Sequence, residues 1–374
     1  RVLDVAAQLD VPLYSETGRG PATSHYLNDD WQTGSVDISA FPDGFRGTPP
    51  GTVLFRMLAS TPGFDTADAW LTAAPDLDIS AAQFLTQKGF SAEAQALIER
   101  ARNANDLQSY SMLNLHRTWQ LYQQSAGMGA TQYVEGGSQR LPEAMAASLT
   151  RPVLTDHPVT AISLENDHCV VRTPKSTFKA RHAVCTLPFP ALRRVTLSGF
   201  EAPSPLAEAL NGLAYTQIVQ VHMRARSRYW ENDALAPNLW TDTSLERVFT
   251  GSGRDGTLTT FQRGWVNGTG VTAWMNDPAT AMSRYMDQLN ALRPAAQGQL
   301  EPLALIDWTN ANPYAGGAYY HWQPGQATRL GGKMGAPLGP LRFAGEHLGL
   351  LHTGMEAAME AAEAAALNII EGTL

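Results

Sequence analysis

The sequence predicts an α/β protein of two interleaved domains, and three observations carry that prediction. The first is Arg342-Phe343-Ala344-Gly345-Glu346-His347, followed by Thr353-Gly354-Met355-Glu356 and an Ala-rich segment running to the C-terminus. A short apolar strand, a Gly turn and a capped helix N-terminus are how α/β proteins hold an anionic cofactor. The second is a change of texture at Tyr133: a Gly136-Gly137 turn, a helix over 141–149, then β-like runs at 161–164, 169–172 and 183–187. The third is the contrast with residues 1–130, which read as mostly helical. A polar loop is expected from Thr23 to Gly47 and periodic segments from Ala81 through Gln124, with no cofactor-like turn.

The remaining elements follow in order. Ile218 to Arg224 alternates as a strand, Ala279 to Leu292 reads as a helix that Pro278 opens at its first turn, and strand and turn material returns from Leu303 to Pro324. The expected division gives 1–132 and 206–324 to a substrate domain, and 133–205 and 325–374 to a nucleotide-binding domain. No repeat of 20 to 50 residues interrupts this organisation.

A chain of 374 residues is long enough to enclose a deep site, which argues against a small binding module. Hydrophobic content of 44% with 17% charged residues suits an enzyme surrounding an apolar cavity, and a net charge of −8 argues against nucleic-acid or anionic-membrane partners. No stretch approaches the ~20 apolar residues of a membrane span, and no charged-then-apolar leader opens the chain. The expectation is a soluble protein, cytoplasmic rather than secreted. Cys169 and Cys185 read as small buried hydrophobes, and no metal is expected. The chain opens at Arg1 inside a helical pattern (Val2, Leu3, Val5, Ala6, Leu9), which reads as an N-terminus made by processing or truncation.

Four segments in order resemble the flavin amine oxidase family, which holds monoamine, polyamine and L-amino acid oxidases. They are Gly136-Gly137-Ser138-Gln139-Arg140-Leu141-Pro142 with His157-Pro158-Val159-Thr160-Ala161-Ile162; Ala183-Val184-Cys185-Thr186-Leu187-Pro188; Asp307-Trp308 to Tyr319-Tyr320; and the Phe343-Ala344-Gly345-Glu346 segment with its helix. The resemblance implies a Rossmann-like FAD-binding domain interleaved with an α+β substrate domain. It implies that Val159 meets the adenine through its backbone, that Gly345 forms the turn, and that Glu346 hydrogen-bonds the ribityl chain. It also implies that Met355, after Gly354, brings its N–H towards the flavin C2 carbonyl. A helix N-terminus there would stabilise the anionic reduced ring by up to ~2 kcal/mol. Gly316-Gly317-Ala318-Tyr319 matches the position where some monoamine oxidases tether flavin through Cys. Ala318 stands there, so non-covalent FAD is implied, with Tyr319 and Trp308 lining the pocket where substrate stacks. Tyr319, Tyr320 and Trp322 also suit a core, and alternation lets at most one face of that strand meet the flavin.

Two departures stand out. Gln220 occupies the place of the family Lys that reaches flavin N5 through a water and is associated with oxygen reactivity. Gln can hold a water but adds no positive charge. His222, two residues on, reads as a structural histidine on the same strand face. Gly354 stands where many members place a second aromatic wall, which implies a wider cavity. Glu356, Glu360 and Glu363 read as first-turn and solvated-face carboxylates.

The family opens on a strand, Gly-x-Gly-x-x-Gly and a helix, and that unit is expected to be absent here. Arg1 to Glu16 resembles the helix and strand that come after it. A second chain carrying the Gly-rich turn is therefore expected as an obligate partner, because a sheet without its central strands exposes apolar edges. The Arg that clamps the substrate carboxylate in the family would lie there too. The function expected is the larger subunit of a two-chain FAD-dependent oxidoreductase that oxidises the C–N bond of an L-amino acid. The alternatives are an oxidase or dehydrogenase of amines lacking a carboxylate, and a flavin-free structural partner.

Overall fold

Strand alternation builds the largest sheet. In the computed structural model, which describes residues 1–15, 20–126 and 131–372, seven strands lie in the order Leu300–Trp308, Ile218–Ala225, Leu258–Asn267, Arg247–Ser252, Asn238–Thr241, Thr23–Leu27 and Asp30–Gln32. All neighbours are antiparallel except Asn238–Thr241 with Thr23–Leu27. Val219, Val221, Met223, Leu239, Val248 and Val266 pack against Ala281, Tyr285 and Leu289 of the helix Pro278–Leu292. That helix sits so close that a Cβ on Gly264 would lie 2.4 Å from the Tyr285 ring, so only glycine lets it seat. On the other face His25, Trp240, Arg247, Trp265, Gln220 and Ile306 lie opposite one another from strand to strand. One residue of shift along a strand exchanges the two faces, so the apolar alternation fixes which side chains look into the site.

The second face meets the helical region. Helices Val53–Leu58, Ala81–Gln87, Ala92–Glu99 and Met112–Ala126 pack around Leu54, Leu58, Leu85, Ile98 and Leu107, and Trp240 joins their core. Ser80 and Ser91 cap two of them, each accepting the N–H three residues on, at 3.0 and 3.2 Å. The polar stretch expected as a loop from Thr23 to Gly47 instead supplies two strands of the sheet. Thr23–Leu27 carries little periodicity of its own and is held by parallel pairing with a strand some two hundred residues away.

The remaining strands make smaller sheets. Thr177–Ala180, His168–Arg172, Ala161–Glu165 and Thr196–Ser198 form one of four strands, while Leu341–Phe343 and Ala183–Cys185 pair in parallel. Leu341 and Phe343 are buried, but Val184 on the neighbouring strand is 42% exposed. The helix Val2–Gln8 is followed by Leu13–Ser15, which pairs with Gln132–Val134; Glu16 lies outside the described residues. The helix expected over 141–149 runs Arg140–Ala147, and the C-terminal one spans Gly354–Ile370. Cys169 and Cys185 are buried free thiols. No helix among the described residues is long and apolar enough to cross a membrane, and no group of three or more His, Cys, Asp or Glu among them could hold a metal ion.

The expected absence of Gly-x-Gly-x-x-Gly needs correction, because the spacing occurs at Gly251-Ser252-Gly253-Arg254-Asp255-Gly256. It forms the turn between strands Arg247–Ser252 and Leu258–Asn267. There Gly253 N–H donates to Thr257 O at 2.8 Å and Gly256 N–H to Gly253 O at 3.0 Å. These amides are spent inside a β-turn with no helix behind them, so the spacing is not a phosphate cradle. No strand–Gly-rich turn–helix unit of that kind occurs among the described residues.

Candidate active site and flavin groove

Two concavities meet at Ala318 and Glu346. The inner cavity, of about 510 Å³, is walled by Arg102, Tyr110, Trp265, Tyr319, His321 and Gly354 among others. The adjoining groove, of about 350 Å³, runs past Trp308, Tyr314, Ala344, Gly345, Ala358 and Ala362. The loop between them bends sharply. Gly316 has φ +70° and Gly317 φ +147°, and Cβ atoms there would fall 2.3 Å from Pro190 and 2.5 Å from Tyr215. That close approach lets Ala318 N–H donate to Thr216 O and Thr216 N–H to Tyr319 O, both at 2.8 Å, which sets Tyr319 in the inner cavity.

Glu346 follows the strand Leu341–Phe343 and accepts the Tyr320 N–H on Oε1 at 3.0 Å. Burial pushes its carboxyl up to about 7, against the opposing pull of that N–H and of Arg117. The carboxylate thus has acceptor capacity left for a ligand donor. The stretch from Gly349 to the C-terminal helix is pinned from two sides. Arg117, only 2% exposed, donates to the carbonyls of Gly349, Leu350 and His352 at 3.0, 3.1 and 2.7 Å and to Tyr320 Oη at 2.9 Å. Glu360 accepts from Leu350 N–H at 2.8 Å and Leu351 N–H at 3.1 Å and contacts His352 Nδ1 at 2.9 Å. Glu360 is therefore a loop anchor rather than a solvated-face carboxylate, because the chain before the helix folds back over it.

Among the expected site residues, Tyr319 and Gly354 wall the inner cavity, Gly345 and Trp308 the groove, and Glu346 both. Tyr319 and Trp308, expected to line one pocket, therefore do not share a cavity. Trp308 ends the edge strand of the large sheet, whereas Tyr319 arrives on the loop after it. At Gly354 φ is +62° and no atom lies within 4 Å of a would-be Cβ, while Glu356 in the same first turn accepts the Val2 N–H at 2.9 Å and pairs with the Arg1 ammonium at 3.1 Å. Thr353 precedes Gly354 without a side-chain cap bond, and the Met355 side chain is exposed. Val159 is half-buried against the core containing Ile162 and Leu341, beside a recess walled by Asp156, His157, Pro158 and Tyr314. Gln220 shares its sheet face with Trp265 but does not itself wall the cavity; its Oε1 lies 3.1 Å from His222 Nε2.

The sequence did not single out Arg102, Arg117, Tyr110, Trp265 or His321. Arg102 Nη2 donates to Gly51 O, its guanidinium stacks 5.3 Å from the Phe55 ring centre, and Nε has no protein partner. Burial lowers it to about 10. His321 Nδ1 lies 2.9 Å from Thr216 Oγ1, Nε2 has no partner, and burial holds the ring near 4, hence neutral at pH 7. The one signal that could have found part of this set was a charged or aromatic residue alternating with core residues, as in Arg247-Val248-Phe249 and Arg263-Gly264-Trp265.

The profile of flavin containing amine oxidoreductases matches residues 3–370. The chain belongs to this family. The L-amino-acid oxidase of Siganus canaliculatus is 25% identical over 314 residues, covering 79% of this chain and 58% of that protein. L-amino-acid oxidase 4 of Hebeloma cylindrosporum is 26% identical over 279 residues, covering 63% and 43%. The chain thus spans about half the length of these relatives. Among solved structures, cyclohexylamine oxidase from Brevibacterium oxydans is similar at a TM-score of 0.75 with 18% identity, covering all of this chain and 85% of that one. Putrescine oxidase reaches 0.73 with 18% identity and 99% and 85% coverage. These likenesses show the flavin amine oxidase fold.

The family implies a flavin, and the residues of this chain fit one. The small side chains of Gly345, Ala344, Ala358 and Ala362 leave a groove, Glu346 has an unfilled acceptor at its inner end, and Thr353 and Gly354, at the start of the C-terminal helix, line the cavity that meets it.

Proposed function

We propose that residues 1–374 carry the substrate cavity and the ring side of the cofactor site of an enzyme that oxidises the C–N bond of an L-amino acid. The imine formed would then hydrolyse to a keto acid and ammonia. The observation that carries this is the junction of a small-residue groove with an aromatic, arginine-bearing cavity at Ala318 and Glu346. FAD, when bound, would supply the two-electron acceptor for the hydride of the substrate α-carbon. Glu346 would accept a ribityl hydroxyl, the N-terminal amides of the helix Gly354–Ile370, Met355 N–H included, would face the electron-rich edge of the ring, and Val159 would meet the adenine. Tyr319 would hold the reacting carbon over the ring and, with Trp265, exclude water. Oxidation of L-amino acids by the native enzyme, with no turnover of the corresponding amines, tests this reading. Turnover of amines alone would replace it, and a native preparation without flavin absorbance would leave only a structural partner.

Ala318 offers no nucleophile at the tethering position, so FAD is proposed to be non-covalent. Acid precipitation is expected to leave the yellow colour in the supernatant; colour in the pellet would overturn this. Gln220 is proposed to hold a water near the ring without adding charge, so reoxidation of reduced enzyme by oxygen is expected to be slow and Gln220→Lys to accelerate it. A stopped-flow trace showing fast native reoxidation that Gln220→Lys slows would overturn that placement.

The Gly-rich pyrophosphate turn is proposed to come from outside residues 1–374, on a separate polypeptide. What supports this is a parallel pair of strands left short, with Val184 exposed on it. Native purification followed by mass analysis is expected to recover a second chain with a strand–Gly-x-Gly-x-x-Gly–helix unit, over an interface above about 2,000 Å². The same unit found on one continuous polypeptide would remove the two-chain arrangement and leave the site unchanged.

A further inference from the structure

One wall of the inner cavity comes from a short extended stretch. The strand Tyr320–His321 pairs with Ala214–Tyr215, and alternation sends successive side chains to opposite sides. Tyr320 and Trp322 pack into the core with Trp70 and Leu330, whereas Tyr319 and His321 wall the cavity. Two residues of extended chain separate that second pair by about 6.6 Å, so His321 lies beyond the junction at which Tyr319 stands. His321 is 1% exposed, and its ring is fixed from two sides. Nδ1 lies 2.9 Å from Thr216 Oγ1, and the ring meets Tyr110 edge to face with centroids 5.8 Å apart. The Thr216 hydroxyl donates to Asn103 O at 3.4 Å, which assigns the proton between Thr216 and His321 to Nδ1 and makes Nε2 an acceptor. Nε2 has no protein partner. Burial holds the ring near 4, so it stays neutral and keeps that lone pair at neutral and alkaline pH. A buried acceptor without a partner lowers stability until a donor completes it. Phe55, Tyr110 and Trp265 give the same cavity flat apolar walls, which suit an aromatic group carrying the donor.

We propose that His321 is a specificity-determining residue of the inner cavity, its Nε2 accepting a hydrogen bond from an N–H or O–H group on an aromatic substrate side chain. This rests on the amino-acid reading above and narrows it to side chains of the indole or phenol kind. A hydrocarbon ring of the same size fits the walls but leaves Nε2 unpaired. A site built around a hydrogen bond discriminates against ligands that lack it.

The direct test is calorimetric titration of the holoenzyme with indole and with benzofuran, which has the same shape but no N–H. Indole is expected to bind the wild type about tenfold more tightly. His321→Asn keeps an amide beside Thr216 but has nothing at the Nε2 position, so the preference is expected to vanish. His321→Gln, whose amide reaches that position, is expected to restore part of it. Near-ultraviolet circular dichroism checks that each variant is folded; if His321→Asn is not, His321→Phe, which keeps a ring and removes both nitrogens, takes its place. Failure of the wild type to prefer indole, or an undiminished preference in the folded variant, would overturn the proposal. A preference abolished by Tyr319→Phe alone would overturn it too, because the Tyr319 hydroxyl is also unpartnered. In steady-state kinetics, the wild-type kcat/KM is expected to favour L-tryptophan over L-phenylalanine, and His321→Asn to cut that ratio about tenfold. If the wild type prefers indole through His321 but oxidises no amino acid, the subsite stands and the amino-acid reading falls.

Discussion

Arg117→Met is expected to unfold the approach to the cofactor helix and to cost the protein most of its flavin. The side chain of Arg117 serves three carbonyls between Gly349 and His352 and the hydroxyl of Tyr320, all inside a core that admits almost no water. Methionine fills a similar volume but orphans those acceptors, and it also removes the cation stacked 4.4 Å from the Trp70 ring centre. Orphaning several buried acceptors at about 1–3 kcal/mol each costs on the order of 4 kcal/mol, which in a chain of this length corresponds to a fall in Tm of about 5 °C. The segment freed is the one that ends at Gly354, so FAD retention should fall together with stability. Thermal melts and FAD titration of purified Arg117→Met check both; a variant that melts within about 2 °C of wild type would show that the loop is held elsewhere.

Glu346→Ala is expected to lower FAD affinity by one to two decades, since a charge-assisted hydrogen bond is worth roughly 1.5–3 kcal/mol. An unchanged FAD titration would reduce Glu346 to a structural role on Tyr320. Its ionisation adds a second, independent signature. Burial raises the folded carboxyl from about 4.5 to about 7, so the flavin-stripped protein favours the protonated form more than the unfolded chain does. That contribution is complete below about pH 4.5 and is lost as pH rises through about 7; it amounts to roughly 3 kcal/mol. Glu246, also raised to about 7 by burial, adds in the same direction. His321 and His347, lowered to about 4 by burial, act in the opposite sense over much of the same range, so the signature is a difference: the stability of stripped wild type relative to Glu346→Gln should fall between pH 5 and pH 8. An identical pH dependence in wild type and Glu346→Gln would show that the carboxyl is not desolvated.

Elements with a strong local signature were legible. The helix Pro278–Leu292 announces itself by 3.6-residue periodicity and a proline that needs no N–H partner at the first turn, and Ile218–Ala225 by strict alternation against a helix. The Gly345-Glu346 turn was legible because a backbone bend beside a buried carboxylate restricts which residues can stand there. Thr23–Leu27 and Asp30–Gln32 were not, since their pairing partner is distant in sequence and their side chains alternate only weakly. The Gly-x-Gly-x-x-Gly spacing at 251–256 shows the converse. The same glycines serve a β-turn when two strands flank them, and only the flanking elements decide between a turn and a phosphate cradle.

The sequence by itself determined the family and its α/β fold, because both are written in short contiguous segments whose backbone geometry is locally constrained, and it named Gly345, Glu346, Ala318 and Tyr319, which the fold brings to one junction. The tertiary structure alone decided that Arg102, Tyr110, Trp265 and His321, drawn from four separate segments, wall one cavity, and that Trp308 faces the groove instead. It alone also showed that Arg117 and Glu360 hold the chain between them. An arginine in a helical run looks solvated when only its neighbours in sequence are known. Whether it is a surface charge or a buried donor depends on long-range packing, which sets the dielectric around it and the acceptors within reach.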